Sequence, residues 1–356
     1  MDTYPGRRTA PDPDPAPDPD PGPDPDTAEE LTAQVARRAE RKAPPSPLEQ
    51  REGVDPVRIR LPGGARPAEP APEDPRTVRA YLMERYAAAI GAAEVEAMLA
   101  AGRFVTEGGR PVDAGTPYEA GAYVWFHREL VPEPAVPFPV RVVHRDERIV
   151  VADKPHFLAT TPRGRHVAQT ALALLRRDLD LPFLSPAHRL DRLTAGLALF
   201  VVRPEDRGTY QTLFRDRRVR KEYEAVARYD PAVELPRTVR SRIVKEHGVL
   251  TAQEVPGPPN AETRIELLAH HDGLGHYRLL PATGRTHQLR VQMNALGLPL
   301  LNDPLYPEVL PEPPDDDPAR FDRPLQLLAR ALEFTDPWTG RPLRFESTRE
   351  LAAWQS

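Results

Sequence analysis

The sequence predicts an α+β fold. A mixed, largely antiparallel sheet is expected over residues 138–356, preceded by a small helix-hairpin domain at 75–130 and a disordered tail and linker at 1–74. Three observations lead there. Beyond residue 138, short runs with two-residue alternation take turns with stretches of helical period. Several of the strand-like runs are joined by short turns, which suits antiparallel neighbours. The 45 prolines are unevenly placed, with eight in the 16-residue run "PDPDPAPDPDPGPDPD" from Pro11 to Asp26. That run holds no hydrophobe larger than alanine and has too little apolar surface to offset chain entropy. The chain of 356 residues, 40% of them apolar, is long enough for about two domains.

Taken in order, "TAEELTAQVARRAERKA" (27–43) reads as a short transient helix within the tail. From Asp74 the texture changes to two helical stretches, then short strands set off by the turn-rich "EGGRPVDAG". "VPEPAVPFP" (131–139) reads as a linker. "VRVVHRDERIVVADKP" looks like a strand pair closed at "RDER", and "VAQTALALLRRDL" and "PEDRGTYQTLFRDRR" like helices. "VRKEYEAVARY" alternates as a half-buried strand with Tyr223, Ala225 and Ala227 on one face. "TRIELLAHHDGLGHYRLL" is a hairpin. "TGRTHQLRVQMNALG" is a helix with Thr286 as N-cap, an apolar stripe of Leu289, Met293 and Leu296, and Gly297 as its stop. "LARALEFTDPWTGRPLRFES" closes the chain with two strands around "DPWTG".

Charge is uneven. Residues 1–50 hold 11 acidic and 6 basic residues, whereas the other 306 hold 42 of each. Within 141–230 there are 18 Lys and Arg against 12 Asp and Glu, led by "RDRRVRK" (215–221). Such a local excess suits a polyanion, and equally a solvated salt-bridged face. Cysteine is absent, which excludes disulfides, thiolate nucleophiles and cysteine zinc sites and fits a reducing cytoplasm. No run of about 18 apolar residues marks a membrane span, and "MDTYPGRRTAPD" lacks the apolar core of a signal peptide. His270, His271 and His276 sit on a hairpin and read as solvent-facing rather than as a metal site.

Three stretches carry candidate chemistry. In "HRLDRLTAGLALFVV" (188–202), charged residues stand at the mouth of an apolar strand, where unpaired charge is costly. Asp191 lies between Arg189 and Arg192, which favour its charged form. It is a candidate nucleophile, or simply a turn residue orienting the strand. In "RVRKEYEAV", Tyr223 is a core tyrosine or a stacking platform for a base. In "LLPATGRTHQLRVQMNALGLPLLNDPLY" (279–306), Arg285, His287, Gln288 and Arg290 crowd one helix start, where exposed amides and guanidinium favour an anion. A helix N-terminus disfavours arginine unless a carboxylate or phosphate meets it, and Asp191 needs such a partner.

Together with "DKP" (153–155) and "KEYEA" (221–225), these stretches occur in an order that resembles the RluA family of RNA pseudouridine synthases. The resemblance covers residues 138–350. It implies the pseudouridine synthase catalytic fold and a reaction in which uracil is detached from ribose, turned, and rejoined through carbon 5. It places the nucleophile on Asp191, attacking either sugar or base. It places the basic partner on Arg285 and the stacking tyrosine on Tyr223. Arg189 matches the arginine that fills the gap left by the extruded nucleotide. Leu289 lines the uracil pocket by the same transfer, and Arg290 is assigned to substrate binding. Catalysis is thus expected from Asp191, Tyr223 and Arg285, with no metal and no cofactor. The expected partner is structured RNA, ribosomal first and transfer RNA second, met by a cytoplasmic monomer. The 75–130 domain loosely resembles the alpha-L RNA-binding motif.

The chain departs from the family pattern at Thr194-Ala195-Gly196, where Thr-Ser-Gly is usual, and at Asn302-Asp303 and Tyr306-Pro307, where Gly-Asp and Tyr-Gly are usual. The last two alter loop freedom. Two rival functions are an RNA-binding assembly factor without catalysis and a glycosidase-like hydrolase. The first should have lost one of the three catalytic residues, and the second needs paired carboxylates.

Overall fold

In the computed structural model, residues 44–63, 77–129, 132–314 and 317–354 are described. The Pro/Asp run and the expected helix at 27–43 lie outside them. The small domain is built from β1 (Val57–Arg60), α1 (Val78–Ile90), α2 (Ala92–Ala100), β2 (Val105–Thr106) and β3 (Tyr123–Phe126). Thr77 caps α1 by accepting from the Ala80 amide at 3.2 Å. The helices cover a three-stranded sheet in the order β1-β3-β2, and Leu82, Val95, Met98, Phe104 and Val124 fill the space between.

Over the described residues 44–63, this corrects the reading of 1–74 as tail and linker. β1 pairs along its length with β3, and Ile59 and Leu61 are buried in the domain core. The segment before it is docked too. Gln50 donates to Pro182 O at 2.6 Å, and Arg176 reaches Gly53 O at 3.2 Å and Asp55 at 2.9 Å. With four residues and one fully buried side chain, β1 gives too short an alternation to be read from the sequence.

The larger domain continues with β4 (Arg141–Arg145), β5 (Ile149–Lys154), α3 (Ala171–Leu179), β6 (Ser185–Pro186), β7 (Ala195–Val201), α4 (Arg207–Arg215) and β8 (Arg220–Arg228). Then follow β9 (Arg237–Val244), β10 (Gln253–Val255), β11 (Ala261–His271), β12 (Leu274–Pro281), α5 (Gln288–Ala295), β13 (Leu327–Thr335) and β14 (Pro342–Glu346). Among the described residues these strands form an eleven-stranded sheet with the path β10-β9-β11-β12-β8-β13-β7-β5-β4, to which β6 and β14 attach. Its one parallel pair is β13 with β7, so the sheet is mixed and largely antiparallel, as expected. Both domains belong to one compact unit, Pro47–Ser356.

The central strands are the apolar runs: all seven residues of β7 and all six of β5 are buried. Strand β9 was not anticipated. Arginines at 237, 240 and 242 make "RTVRSRIV" look like a solvated segment, yet Val239, Ser241 and Ile243 turn inward. The expected N-cap of α5 also moves by one residue. His287, in the left-handed region at φ 56°, opens the helix, and Gln288 Oε1 takes the Arg285 amide at 3.0 Å in place of a Thr286 cap.

Register brings the site together. Ala329 of β13 faces Gly196 of β7 on one side and Tyr223 of β8 on the other. Gly196 has φ 105°, and a Cβ there would lie 2.3 Å from Ala329 O. Only glycine permits this approach. Tyr223 and the loop feeding β7 therefore stand at the same level of the sheet, two strand spacings or ~10 Å apart.

Candidate active site

The site is a cavity of about 1470 Å³ over these strands, larger than the usual small-molecule pocket. Asp191, Tyr223, Arg189, Arg285 and Arg290 line it, and further arginines, among them Arg163, Arg192, Arg215 and Arg217, surround them.

Asp191 lies in a turn closed by the Thr194 amide, which donates to Asp191 O at 3.1 Å. The turn is pinned from below. Thr160 Oγ1 donates to Leu190 O at 2.8 Å and accepts from Leu190 N at 3.1 Å. Lys154, fully buried, donates to the carbonyls of Pro155, Leu158 and Arg192 at 3.0, 2.8 and 3.3 Å. Burial pushes the Lys154 ammonium down to about 7, against the pull of the nearby Asp191 carboxylate. In the sequence, "DKP" stands only as a marker of the family. The signal for this role was a lysine ending the apolar strand "IVVADK". His188 is spent on the frame: it stacks on Phe214 at 4.2 Å, and its Nε2 accepts the Leu199 amide at 3.1 Å. Burial holds it down to about 3, so it is neutral at physiological pH.

The basic partner of Asp191 is Arg290, not Arg285. Arg290 Nη1 lies 3.7 Å from Asp191 Oδ2, and His287 Nε2 lies 4.0 Å from the same oxygen. Arg290 is almost wholly buried. It forms a two-pronged pair with buried Asp303, at 2.8 and 2.6 Å, which fixes the guanidinium beneath the nucleophile. His287 is fixed by Tyr306, whose hydroxyl is 2.9 Å from Nδ1. Arg285 faces outward: its Nε donates to Asn260 O at 3.1 Å, and the residue is exposed at the rim. The physical reason is helical phase. Arg290 lies within α5 and points to the core, whereas Arg285 precedes the helix. Arg290, assigned to substrate binding, lines the cavity with only 2% of its side chain exposed, and its guanidinium is engaged by Asp303.

Leu289 is also placed differently from expectation. It is buried in the core cluster with Phe157, Leu193, Leu279 and Met293 rather than on the cavity wall, which Leu190, Leu300 and Leu325 supply. Tyr223 packs against that same cluster from the cavity side, and burial, aided by the Asp191 charge, raises its hydroxyl well above the usual tyrosine range. Arg189 is exposed on the rim. Lys221, at the head of "KEYEA", donates to Thr283 O at 2.7 Å and so ties β8 to the loop before α5. Among the described residues no cluster of His, Cys, Asp and Glu is arranged to hold a metal. His270 stacks on Tyr229 at 4.0 Å, and His271 and His276 flank Trp354.

Comparison with known proteins places the chain among RNA pseudouridine synthases. The family profile described as RNA pseudouridylate synthase matches residues 148–295. The dual-specificity RNA pseudouridine synthase RluA of Pasteurella multocida is 34% identical over 220 residues, covering 58% of this chain and 91% of that protein. Pseudouridylate synthase RPUSD2 of Homo sapiens is 33% identical over 176 residues, and the mitochondrial tRNA pseudouridine(32) synthase of Saccharomyces cerevisiae is 30% identical over 177. Each of these two matches covers 49% of this chain, and the chain spans only 32% and 38% of their respective lengths. With a relative matched over nine-tenths of its length, the chain belongs to the RluA-type family of RNA pseudouridine synthases.

Proposed function

We propose that this protein isomerises uridine to pseudouridine in structured RNA, with Asp191 as the nucleophile. The observation that carries this reading is the Asp191 carboxylate, about a third exposed to the cavity and backed by a buried guanidinium that Asp303 holds in place. A nucleophile on a pinned turn with a fixed counter-charge is organised before substrate arrives. The reaction breaks the bond between ribose C1′ and uracil N1 and forms one between C1′ and C5, with the C5 proton replaced by one on N1. Tyr223 offers a ring beside the freed base. Its raised hydroxyl stays protonated at physiological pH, so it contributes as a surface and a hydrogen-bond donor. The arginine-rich rim is suited to a phosphate backbone.

Ribosomal RNA is the substrate that the family resemblance favours. The name of the yeast relative puts transfer RNA beside it. A cytoplasmic monomer is the form in which we place the activity. Pseudouridine mapping of total RNA from cells with and without the gene tests the reading and names the RNA. Complementation with Asp191→Asn should restore no site, although the purified variant binds RNA nearly as well as the parent because the basic rim is intact. Restored pseudouridine in that strain would refute Asp191 as nucleophile.

A further inference from the structure

His287 opens α5 in the left-handed region, at φ 56°, with no side-chain capping bond. That conformation is uncommon outside glycine and persists where the surroundings impose it. Here Tyr306 does so. Its hydroxyl lies 2.9 Å from His287 Nδ1, and its ring stands perpendicular to the imidazole with centroids 5.8 Å apart. The same hydroxyl binds both backbone groups of Ala252, just before β10. It accepts from the amide at 2.8 Å and donates to the carbonyl at 2.9 Å.

A phenol has one hydrogen to give. With that hydrogen on the Ala252 carbonyl, all three contacts are satisfied only when Nδ1 carries a hydrogen and donates it to the phenol oxygen. Burial pushes the Tyr306 hydroxyl up to about 12, which keeps its hydrogen in place. A neutral imidazole protonated on Nδ1 has a bare lone pair on Nε2. Nε2 lies 4.0 Å from Asp191 Oδ2, and His287 lines the catalytic cavity. Burial, helped by Arg290 and Lys245, lowers the imidazole below its ordinary value against the pull of Asp191 and Asp303, so it is neutral at physiological pH. The reaction needs such a group. Once C1′ is joined to C5, that carbon still carries its hydrogen, and the ring regains its double bond only when the proton leaves. The other groups around Asp191 are committed. Tyr223 keeps its proton, Lys154 donates to three carbonyls, and an arginine such as Arg290 stays charged.

We propose that His287 is the general base of the last step, taking the C5 proton at Nε2 while Tyr306 fixes its tautomer. The inference rests on the reading of the chain as a uridine isomerase. The C5–H bond breaks and its electron pair becomes the C5=C6 double bond. The former C6=N1 pair moves to N1, which takes a proton from water. The imidazolium so formed is stabilised by the Asp191 carboxylate and returns its proton to solvent. His287 is then a catalytic residue, and Tyr306 a positioning residue that acts through it.

The test is single-turnover kinetics of the full-length protein on ribosomal and transfer RNA transcripts, with hydrogen or deuterium at uridine C5, from about pH 5 to 8. His287→Asn suits the left-handed backbone and should slow pseudouridine formation by about 10²–10⁴-fold, with RNA affinity little changed. Loss of the C5 proton should then limit the rate, so a primary deuterium effect should emerge that exceeds the parent's. The parent's rate should fall at acid pH as Nε2 takes up a proton, and this limb should be missing in His287→Asn. Tyr306→Phe keeps the imidazole but frees its tautomer. It should lose less rate and show the same isotope effect, and it carries the test if His287→Asn does not fold. A parent-like rate in His287→Asn would overturn the proposal. A slow variant with no added isotope effect and an unchanged acid limb would also overturn it, leaving His287 as a strut of the helix start. Either result beside an active parent sinks the base alone. No pseudouridine from the parent on either RNA would sink the isomerase reading, and the base with it.

Discussion

Arg285 and Arg290 stand five residues apart in one motif, and the structure gives them different work. Arg290 is held between Asp303 and Asp191 in the interior, so replacing it leaves a buried carboxylate without its partner. Arg290→Gln should destabilise the fold by about 3–5 kcal/mol and remove turnover. Arg285→Gln should leave the unfolding midpoint within the range of an ordinary surface change and act on RNA affinity alone. Urea unfolding and a turnover assay on both variants decide it. Equal losses in the two would mean that the buried pair does not organise the nucleophile. The sequence showed that Asp191 needed a cation from this motif. Which arginine supplies it depends on where α5 starts, and that start is set by the Gln288 hydrogen bonds and the left-handed His287.

At the scale of elements, Glu224 ties three strands. From β8 it accepts two bonds from Arg330 of β13, at 2.8 and 2.7 Å, and lies 3.3 Å from His276 of β12. Burial by itself would raise its carboxyl. The hydrogen bonds from His276 and Arg330 outweigh burial and hold it down at about 2. The folded value lies below the ordinary one, so the unfolded chain takes up the proton first as pH falls. The stabilisation is therefore complete above about pH 4.5 and is lost between there and about pH 2, on the order of 3 kcal/mol in all. Thermal unfolding from pH 6 to 2.5 should fall less steeply in Glu224→Gln than in the parent. Parallel curves would show that this carboxylate does not govern the acid limb. The alternation of "KEYEAVARY" identified the strand and its inward face, but not that an outward glutamate would lie across from Arg330 two positions away on a neighbouring strand.

At the scale of the whole molecule, the chain from Pro47 onward is one unit, and its first strand belongs to the small domain. Truncation up to residue 43 should leave the unfolding midpoint of the remainder unchanged, because the docked segment around Gln50–Asp55 is kept. Truncation up to residue 74 removes β1, uncovers the edge of β3, and takes Ile59 and Leu61 from the core. Each such buried aliphatic side chain is worth about 1.5–3 kcal/mol, so this shorter protein should unfold at clearly lower denaturant. Equal midpoints for the two truncations would return 57–60 to the linker.

What the sequence by itself determined is local. Apolar runs long enough to be buried on both faces became β5 and β7, clear alternation became β8 and β12, and turn residues closed the hairpins. The order of the charged motifs marked the family and pointed to Asp191, Tyr223, Arg285 and Arg290, all of which line one cavity. What only the tertiary structure decided is pairing. β1 and β9 carry too little apolar signal to declare themselves and become strands because neighbours offer hydrogen-bonding edges. Lys154, Thr160 and Asp303 gain their roles from contacts with residues 13 to 38 positions away. Burial makes those few hydrogen bonds strong and their loss costly, and burial is a property of the packed chain rather than of any segment within it.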